Sequence, residues 1–200
     1  MDILYSDLNI VACIKPVGLD AEHDVPQELA SALGGEIFPV HRLDKNVGGV
    51  MVYARNKAAA AELSKTIQNN QMVKEYVAKV HGTPPDQGDW EDLLFKDSRK
   101  NKVFVVKRQR TGVKYARLEF TRVSDALVRI RLHTGRSHQI RVQFSSRGYP
   151  LIGDHKYGAK DAEKAPMLYS CCITHLEGVV HEFLSTEIEC IDRTVLLGSL

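Results

Sequence analysis

Three short segments of the sequence contain side chains that could act chemically on a polar substrate. The first is residues 41–44, His-Arg-Leu-Asp, which stand just before an apolar run. This segment places a carboxylate, Asp44, two residues after the guanidinium of Arg42. A carboxylate at the mouth of a strand can serve as a nucleophile or as a general base. Because an Asp in such a loop is more often a turn former, this segment taken alone is a weak indication of a site.

The second and third segments add a tyrosine and an arginine. In residues 74–78, the side chains of Lys74 and Tyr76 would share one face of a strand, although a half-buried Tyr is more often a core residue. Residues 134–141, Thr-Gly-Arg-Ser-His-Gln-Ile-Arg, place Arg136 at a predicted strand-to-helix turn. From such a turn a guanidinium can point into a cleft.

Hydrophobic periodicity and turn signals predict the elements that would hold these segments. Alternating or continuous apolar runs predict strands, and apolar residues four apart after a capping residue predict helices. The predicted strands are residues 8–14, 47–53, 72–80, 126–133, 168–176 and 179–188. The predicted helices are residues 24–33 with Asp24 as the cap, residues 57–68 with Asn56 as the cap, and a short helix that contains Ile140 and Phe144 and ends before Gly148. A loop is predicted over residues 82–88.

This order of elements predicts the fold class. Strands joined by hairpins, with a few helices on one side, are typical of an α+β fold with a mostly antiparallel mixed sheet. A length of 200 residues suits one domain, and neither a repeat nor an obvious interdomain linker divides the sequence. We therefore expect a single domain over residues 1–200, with helices and loops flanking the sheet.

Composition bounds the class of protein. Hydrophobic residues make up 44% and charged residues 26% of the chain, which is ordinary for a soluble globular protein. No apolar run approaches the roughly 20 residues that span a bilayer. The first residues lack the basic and apolar regions of a signal peptide, so a cytoplasmic location is expected. The eight histidines show no metal-ligand spacing, and no C-x-x-C pair occurs among Cys13, Cys171, Cys172 and Cys190; the cysteines are interpreted as small apolar side chains, and no metal site is predicted.

Basic residues are concentrated in one part of the chain. Residues 96–141 contain 14 Lys and Arg but only three acids, so this segment carries a formal charge of +11 and the remainder −9. A local excess of this size is a candidate binding surface for a polyanion. A solvated face of alternating strands would explain the charge equally well.

Together the three segments resemble the RluA-type pseudouridine synthases. Members of that family carry Lys-Pro-x-Gly-Leu, His-Arg-Leu-Asp, Lys-x-Tyr, Thr-Gly-Arg-[Thr/Ser]-His-Gln-[Ile/Leu]-Arg and Gly-x-Pro-[Ile/Leu]-x-Gly-Asp, in this order. The sequence matches these motifs at residues 15–19, 41–44, 74–76, 134–141 and 148–154. Several long motifs in order are far more specific than any one alone, and the resemblance extends over roughly residues 8–185.

The sequence departs from the family pattern in three respects. Relatives commonly continue after the Asp with Arg-Asp-Thr-Ser-Gly-Leu, whereas residues 45–50 are Lys-Asn-Val-Gly-Gly-Val. This change removes two hydroxyls near the expected site but keeps the carboxylate. The stretches 174–176 and 181–183 match only loosely. The small N-terminal RNA-binding module of many relatives is not expected, because the motifs begin near residue 10.

The resemblance implies an activity and a role for each motif residue. The activity is isomerisation of uridine to pseudouridine in structured RNA, rRNA or tRNA, in a central active-site cleft. The base must leave its stack, at a cost of a few kcal/mol. Asp44 then starts cleavage of the glycosidic bond, as a nucleophile or as a base. Arg136 is the basic partner of that Asp, and Tyr76 stacks on the base and can help remove the C5 proton.

The resemblance also implies the substrate contacts and partners. Arg42 would fill the space that the flipped base leaves. Further contacts with the substrate are expected from His41, Lys74, His138, Ile140 and Arg141, although a lone His is more often a hydrogen-bonding framework residue. The reaction involves no redox change and no phosphoryl transfer, so no cofactor is expected. RNA is the expected partner, and a monomer is the expected form.

Two other functions stay open from the sequence. One is a non-catalytic RNA-binding module that kept the fold and the basic face. The other is a hydrolase that uses Asp44 as a general base. The presence of Asp44, Tyr76 and Arg136 together favours the isomerase, because binding alone would not require the carboxylate.

Overall fold

The described residues of the computed structural model, 1–175 and 182–184, form strands and helices that follow most of the predicted elements. The strands are β1 (Asp2–Ser6), β2 (Ile10–Lys15), β3 (Phe38–Pro39), β4 (Gly48–Ala54), β5 (Met72–Lys79), β6 (Gln87–Asp97), β7 (Lys102–Val106), β8 (Val113–Arg122), β9 (Leu127–Leu132), β10 (Leu168–His175) and β11 (Glu182–Leu184); the helices are α1 (Asp24–Leu33), α2 (Lys57–Gln68) and α3 (Gln139–Ser145). Two compact units contain them: residues 1–75 with the described residues from 169 onward, and residues 76–168.

The first unit contains a sheet in the order β1-β2-β4-β10, in which β3 pairs with β4 and β11 with β10. Every residue of β4 is buried, as the apolar run over residues 47–53 predicts. The pairs within this unit are antiparallel, except that β4 and β10 run parallel. Ala59 and Leu63 of α2 pack against Val50 and Val52 of β4 in one apolar core.

The N-caps of α1 and α2 can be compared with the predicted ones. Asn56 caps α2 as predicted, because its side-chain oxygen accepts a hydrogen bond from the backbone N–H of Ala59 at 2.9 Å. The prediction that Asp24 caps α1 was wrong. His23 occupies the N-cap position without a side-chain bond, and the carboxylate of Asp24 accepts a hydrogen bond from the backbone N–H of Asp20 at 2.8 Å. Asp24 therefore holds the loop before the helix.

The second unit contains an antiparallel sheet in the order β9-β8-β6-β7. Strand β9 confirms the predicted alternation, with Val128 and Ile130 buried and Arg129 and Arg131 exposed. The predicted short helix is α3. The predicted loop over residues 82–88 is shorter than expected, because β6 begins at Gln87.

The predicted α+β class with a mostly antiparallel mixed sheet is confirmed by these pairings. Of the predicted strand at residues 179–188, only Glu182–Leu184 are described, and Cys190 lies outside the described residues. Cys13, Cys171 and Cys172 are buried and are not in disulfides with other described residues, and burial raises the pKa of Cys13 to about 12. Within the described part of the chain, the helices are too short or too polar to span a bilayer. The single domain stays a prediction.

Candidate active site

The residues predicted to act on substrate are divided between the two units. His41, Arg42, Asp44 and Lys74 belong to the first unit. The second unit contains the remaining five predicted residues: Tyr76, Arg136, His138, Ile140 and Arg141. Each group has its own supporting framework.

Asp44 stands on a tight turn between β3 and β4. The backbone carbonyl of Asp44 accepts a hydrogen bond from the N–H of Val47 at 2.9 Å, which closes the turn. The carbonyl of the next residue, Lys45, accepts a bond from the N–H of Gly18 at 2.8 Å. The half-buried carboxylate of Asp44 is thus presented on a loop that is fixed to the Lys-Pro-Val-Gly-Leu segment.

Lys15 is the buried centre of this loop pair. Its side chain is fully buried, and its ammonium donates to the carbonyl oxygens of Pro16 and Leu19 at 2.9 Å and of Lys45 at 3.3 Å. Burial lowers the pKa of Lys15 to about 8, an effect that the nearby carboxylates of Asp20 and then Asp44 oppose. Lys15 therefore joins the two loops and brings a positive charge near Asp44.

His41 follows β3, and its side chain continues the hydrogen bonding between β3 and β4. Strand β3 ends with Pro39 opposite Tyr53, and the ring Nε2 of His41 accepts a hydrogen bond from the next backbone N–H, that of Val52, at 3.1 Å. Because Nε2 is an acceptor, the proton of the neutral ring lies on Nδ1. Burial, and after it the charge of Lys74, holds the pKa of His41 well below its usual value.

His41 and Lys74 both keep hydrogen-bonding capacity in this unit. Among the described residues, the buried Nδ1 of His41 has no hydrogen-bond partner. Burial lowers the pKa of Lys74, on β5, to about 8. The charge of Lys74 acts on His41, where it is the second cause of the lowered pKa after burial. Arg42, by contrast, is exposed and pairs with Glu22 at 2.7 Å.

Tyr76 lies on the part of β5 that belongs to the second unit. The sequence suggested a half-buried tyrosine, but the side chain is buried, with 7% exposure. At the end of β5 the carbonyl of Lys79 accepts a hydrogen bond from the N–H of Ile152 at 2.9 Å, and just beyond the strand the N–H of His81 donates to the carbonyl of Pro150 at 2.9 Å. The Gly-Tyr-Pro-Leu-Ile-Gly-Asp motif therefore lies beside the end of the strand that carries Tyr76.

Arg136 stands on the turn between β9 and α3, as predicted. Its Nε donates to the backbone carbonyl of Tyr115, on β8, at 2.8 Å. The buried side chain of Gln139 fixes the turn, because its Oε1 accepts from the N–H of Arg136 at 3.0 Å and from the hydroxyl of Thr134 at 2.9 Å. The amide nitrogen of Gln139 donates to the carbonyl of Arg117 at 3.0 Å. The guanidinium of Arg136 is thereby held at the surface of β8.

His138, Tyr157 and Arg141 form a cluster behind this turn. The Tyr157 hydroxyl accepts a bond from the N–H of Val103 at 2.8 Å and lies 2.8 Å from Nδ1 of His138. Arg141 lies 5.1 Å from the Tyr157 ring centroid and forms a bidentate pair with the buried Asp154. Ile140 is buried.

Several supporting residues were not assigned a role from the sequence. They are Lys15, Gln139, Asp154 and Tyr157. The first three are fixed positions of the matched motifs and Tyr157 follows the last motif closely, so the motifs marked them without indicating what they do. Their contacts are with backbone and with other motif residues.

The glycine that departs from the family pattern has a structural explanation. A side chain at Gly48 would place its Cβ 2.6 Å from Cε2 of Tyr169, on β10. The ring of Tyr169 therefore occupies the space that a serine at this position would need. In the described part of the chain, no group of three or more His, Cys, Asp or Glu side chains could hold a metal ion.

Comparison with known sequences gives a consistent result. The profile of the RNA pseudouridylate synthase family matches residues 10–146. The "Dual-specificity RNA pseudouridine synthase RluA" of Escherichia coli K12 is 33% identical over 178 residues, which cover 83% of this chain and 81% of that protein. An "Uncharacterized RNA pseudouridine synthase" of Aquifex aeolicus is 32% identical over 195 residues, 85% of this chain. The chain spans 60% of the length of the Aquifex protein and 42% of a Chloroflexus aurantiacus relative that is 39% identical.

Solved structures support the same fold. "Human RNA Pseudouridylate Synthase Domain Containing 1" matches with a TM-score of 0.84 at 22% identity, over 100% of this chain and 91% of that one. "Human RNA Pseudouridylate Synthase Domain Containing 4" matches with a TM-score of 0.79 at 24% identity, over 92% and 88%. With the profile match over most of the chain and the identity to RluA, these matches confirm the resemblance seen in the motifs: the chain belongs to the RNA pseudouridylate synthase family.

Proposed function

We propose that this protein isomerises uridine to pseudouridine in RNA and that Asp44 starts the reaction. The observation that carries the proposal is the placement of Asp44, in a chain of this family. Its carboxylate is half-buried on a closed turn, and the buried ammonium of Lys15 holds that turn. A carboxylate on a rigid, charged support is suited to attack or to proton abstraction.

The proposed reaction leaves the composition of the RNA unchanged. The bond between C1′ and N1 of the uridine breaks, the uracil turns, and a bond between C1′ and C5 forms. The C5 proton leaves to a base or to water, and N1 gains a proton. No electrons are exchanged with a second substrate and no phosphoryl group moves, so the proposal requires no cofactor.

The other motif residues receive roles in the same proposal. Tyr76 stacks on the base, and Arg136 contributes its guanidinium to catalysis. His41 Nδ1–H and the Lys74 ammonium are donors suited to carbonyl or phosphate oxygens of the RNA. The side chain of Arg42 is exposed, and it fills the space in the RNA that the flipped base leaves.

His138, Ile140 and Arg141 are proposed as substrate contacts on α3 and at its start. The bond between Nδ1 of His138 and the Tyr157 hydroxyl fixes the orientation of the imidazole ring. Arg141 is already paired with Asp154, so it contributes mainly by holding α3. The proposal further places the protein in the cytoplasm as a monomer, acting on rRNA or tRNA, because these RNAs contain structured uridines in abundance.

The decisive experiment uses RNA tritiated at uracil C5. Formation of pseudouridine releases this label to water, whereas hydrolysis of the glycosidic bond leaves it in free uracil. Asp44→Asn keeps the size of the side chain and removes its charge and nucleophilicity, so label release should vanish while affinity for RNA stays within a few-fold. Asp20→Asn is the matched control, because Asp20 also lies near Lys15 and its loss should leave release near the wild-type rate.

Each alternative predicts a different result. An RNA-binding module would bind RNA and release no label in either protein. A hydrolase would yield labelled free uracil. Release that persists in Asp44→Asn would remove this residue from the mechanism, and mapping of pseudouridine in cells with and without the protein would identify the RNA.

A further inference from the structure

We propose that one face of the sheet in the second unit binds unpaired bases of the RNA next to the target uridine. This surface, the aromatic face, consists of Leu93, Phe95, Phe104, Val106 and Tyr115. The inference rests on the proposed function, because it takes RNA as the substrate. It adds a site outside the motif residues and a preference for single-stranded flanks.

The strand register puts these five side chains on one face. Phe95 is opposite Phe104, and Leu93 is opposite both Val106 and Tyr115. Residues directly opposite one another in antiparallel strands project to the same side of the sheet. The intervening side chains of Leu94, Val103 and Ala116 project to the other side, where they form a core with Val142 and Tyr157. The aromatic face is therefore directed away from this core.

Two aromatic rings on this face are unusually exposed. Phe104 is 37% exposed and Tyr115 is 43% exposed. Burial, and after it the carboxylate of Glu91, raises the pKa of the Tyr115 hydroxyl. Aromatic rings with accessible faces are the sites on which nucleic-acid bases stack, and such stacking tolerates any base.

The charges around the aromatic face fit a polyanion. The loop between β7 and β8 carries Lys107, Arg108 and Arg110, and the guanidinium of Arg110 lies 4.6 Å from the centroid of the Phe95 ring. The turn between β6 and β7 carries Arg99 and Lys100, both exposed. Cations interleaved with aromatic rings are typical of surfaces that bind single-stranded nucleic acid.

The acids near the aromatic face are few and mostly engaged. The carboxylate of Asp97 accepts bonds from the backbone N–H groups of Arg99 and Lys100, so it is engaged by the β6–β7 turn. The carboxylate of Glu91 lies 3.9 Å from Nε of Arg117. The phosphates would therefore follow the β6–β7 turn and the β7–β8 loop, on the side away from Glu91.

The aromatic face continues directly to Arg136. The Nε of Arg136 donates to the backbone carbonyl of Tyr115 at 2.8 Å, so the exposed ring and the proposed catalytic guanidinium are neighbours within one unit. Bases stacked on Tyr115 and Phe104 would consequently be those that flank the target. Paired bases have no free faces to offer, and this selects loops and bulges over continuous duplex.

The test compares Phe104→Leu and Tyr115→Leu with Val105→Ala, in the Asp44→Asn protein so that binding is measured without turnover. Leu keeps apolar volume and removes the ring. Val105 is the matched control, because it lies on the same strand as Phe104, is 36% exposed, and projects to the other face. The probes are a uridine stem-loop, the same stem-loop with abasic sites flanking the uridine, and a fully paired duplex.

The proposal predicts that each ring variant weakens binding of the stem-loop about 5- to 100-fold. The abasic stem-loop and the duplex should change by less than about two-fold, and Val105→Ala should bind all three probes like its parent. Tyr115→Phe, which keeps the ring, should bind the stem-loop almost as well as its parent.

Three results would overturn the proposal. They are an unchanged affinity for the stem-loop, an equal loss on duplex or abasic RNA, and a dimer that dissociates in the ring variants while RNA binding is unaffected. The last result would assign the face to a second copy of the chain. Failure of the proposed isomerisation is detected separately, as absence of label release from wild-type protein on every RNA, and leaves the binding comparison readable.

Discussion

Replacement of Asp154 by Asn should cost a large part of the stability of the second unit. Asp154 is 1% exposed and Arg141 is 7% exposed, and two parallel bonds of 2.7 and 2.8 Å join them. The amide of Asn keeps the volume but removes the charge and turns one acceptor into a donor that faces the guanidinium. Removal of one partner from a buried ion pair costs about 3–5 kcal/mol. We expect the free energy of unfolding to fall by this amount.

Urea denaturation followed by the fluorescence of Trp90 measures this loss. Trp90 is the one tryptophan of the sequence, and its ring lies 4.7 Å from that of Phe144, on the same helix as Arg141. Asp125→Asn is the matched control, because Asp125 pairs with Arg122 at the surface at 3.3 Å. An exposed pair contributes at most about 1 kcal/mol.

The double variant Arg141→Met with Asp154→Leu distinguishes the reasoning from a simple packing effect. It removes both charges and replaces them with apolar groups of similar volume, so most of the lost stability should return. An Asp154→Asn protein within about 1 kcal/mol of wild type would refute the argument that an unpaired buried charge is the cause. A double variant with a lower free energy of unfolding than Asp154→Asn would refute it as well.

Two further predictions concern a glycine of β4 and an acid in the loop after Gly158. Gly49→Ala should strongly lower the thermal midpoint of the first unit, because Gly49 has φ +116° and an added Cβ would overlap the backbone oxygen of Ser170. Gly135→Ala is the control and should leave the thermal midpoint nearly unchanged, because the space around Gly135 is open. Equal midpoints for the two variants would contradict this prediction. The hydrogen bond from the Gly153 backbone N–H lowers the pKa of Asp161 to about 2. The ionised carboxylate therefore stabilises the fold above about pH 4, and this stabilisation is lost as the pH falls through 2. The difference in unfolding free energy between wild type and Asp161→Asn should shrink on acidification, and a constant difference would contradict this prediction.

The elements with strong local signals could be predicted from the sequence. Helix α2 has an Asn cap and an apolar stripe at four-residue spacing, and β4 is an uninterrupted apolar run; both formed within one residue of the predicted bounds. Strands β6, β7 and β8 were not predicted. Most of this region, residues 96–141, was interpreted either as a candidate surface for a polyanion or as a solvated face of alternating strands, and no strand bounds were predicted before residue 126. Pairing with neighbours distant in sequence, which no local pattern encodes, determines these strands.

The sequence proposed reactive residues for the candidate site but did not indicate which residues support them. Family motifs identified Asp44 and Arg136 by position. They could not show that Arg141 is paired with Asp154, because an arginine in a motif can contact either substrate or protein. That choice depends on burial, which for Arg141 follows from the packing of α3 against β7 and β6.

The two turns that carry Asp44 and Arg136 are held in the same way, by hydrogen bonds from a buried side chain. A loop has no ladder partners for its backbone groups, so its conformation is fixed only if buried side chains supply the missing hydrogen bonds. Lys15 supplies donors to three carbonyl oxygens around the Asp44 turn, and Gln139 supplies an acceptor and a donor to the Arg136 turn. Each support is more deeply buried than the residue it positions. Motif residues in this chain therefore include those that shape a loop as well as those proposed to contact RNA. Loss of activity in a Lys15 or Gln139 variant should accordingly be interpreted together with its stability before a chemical role is assigned.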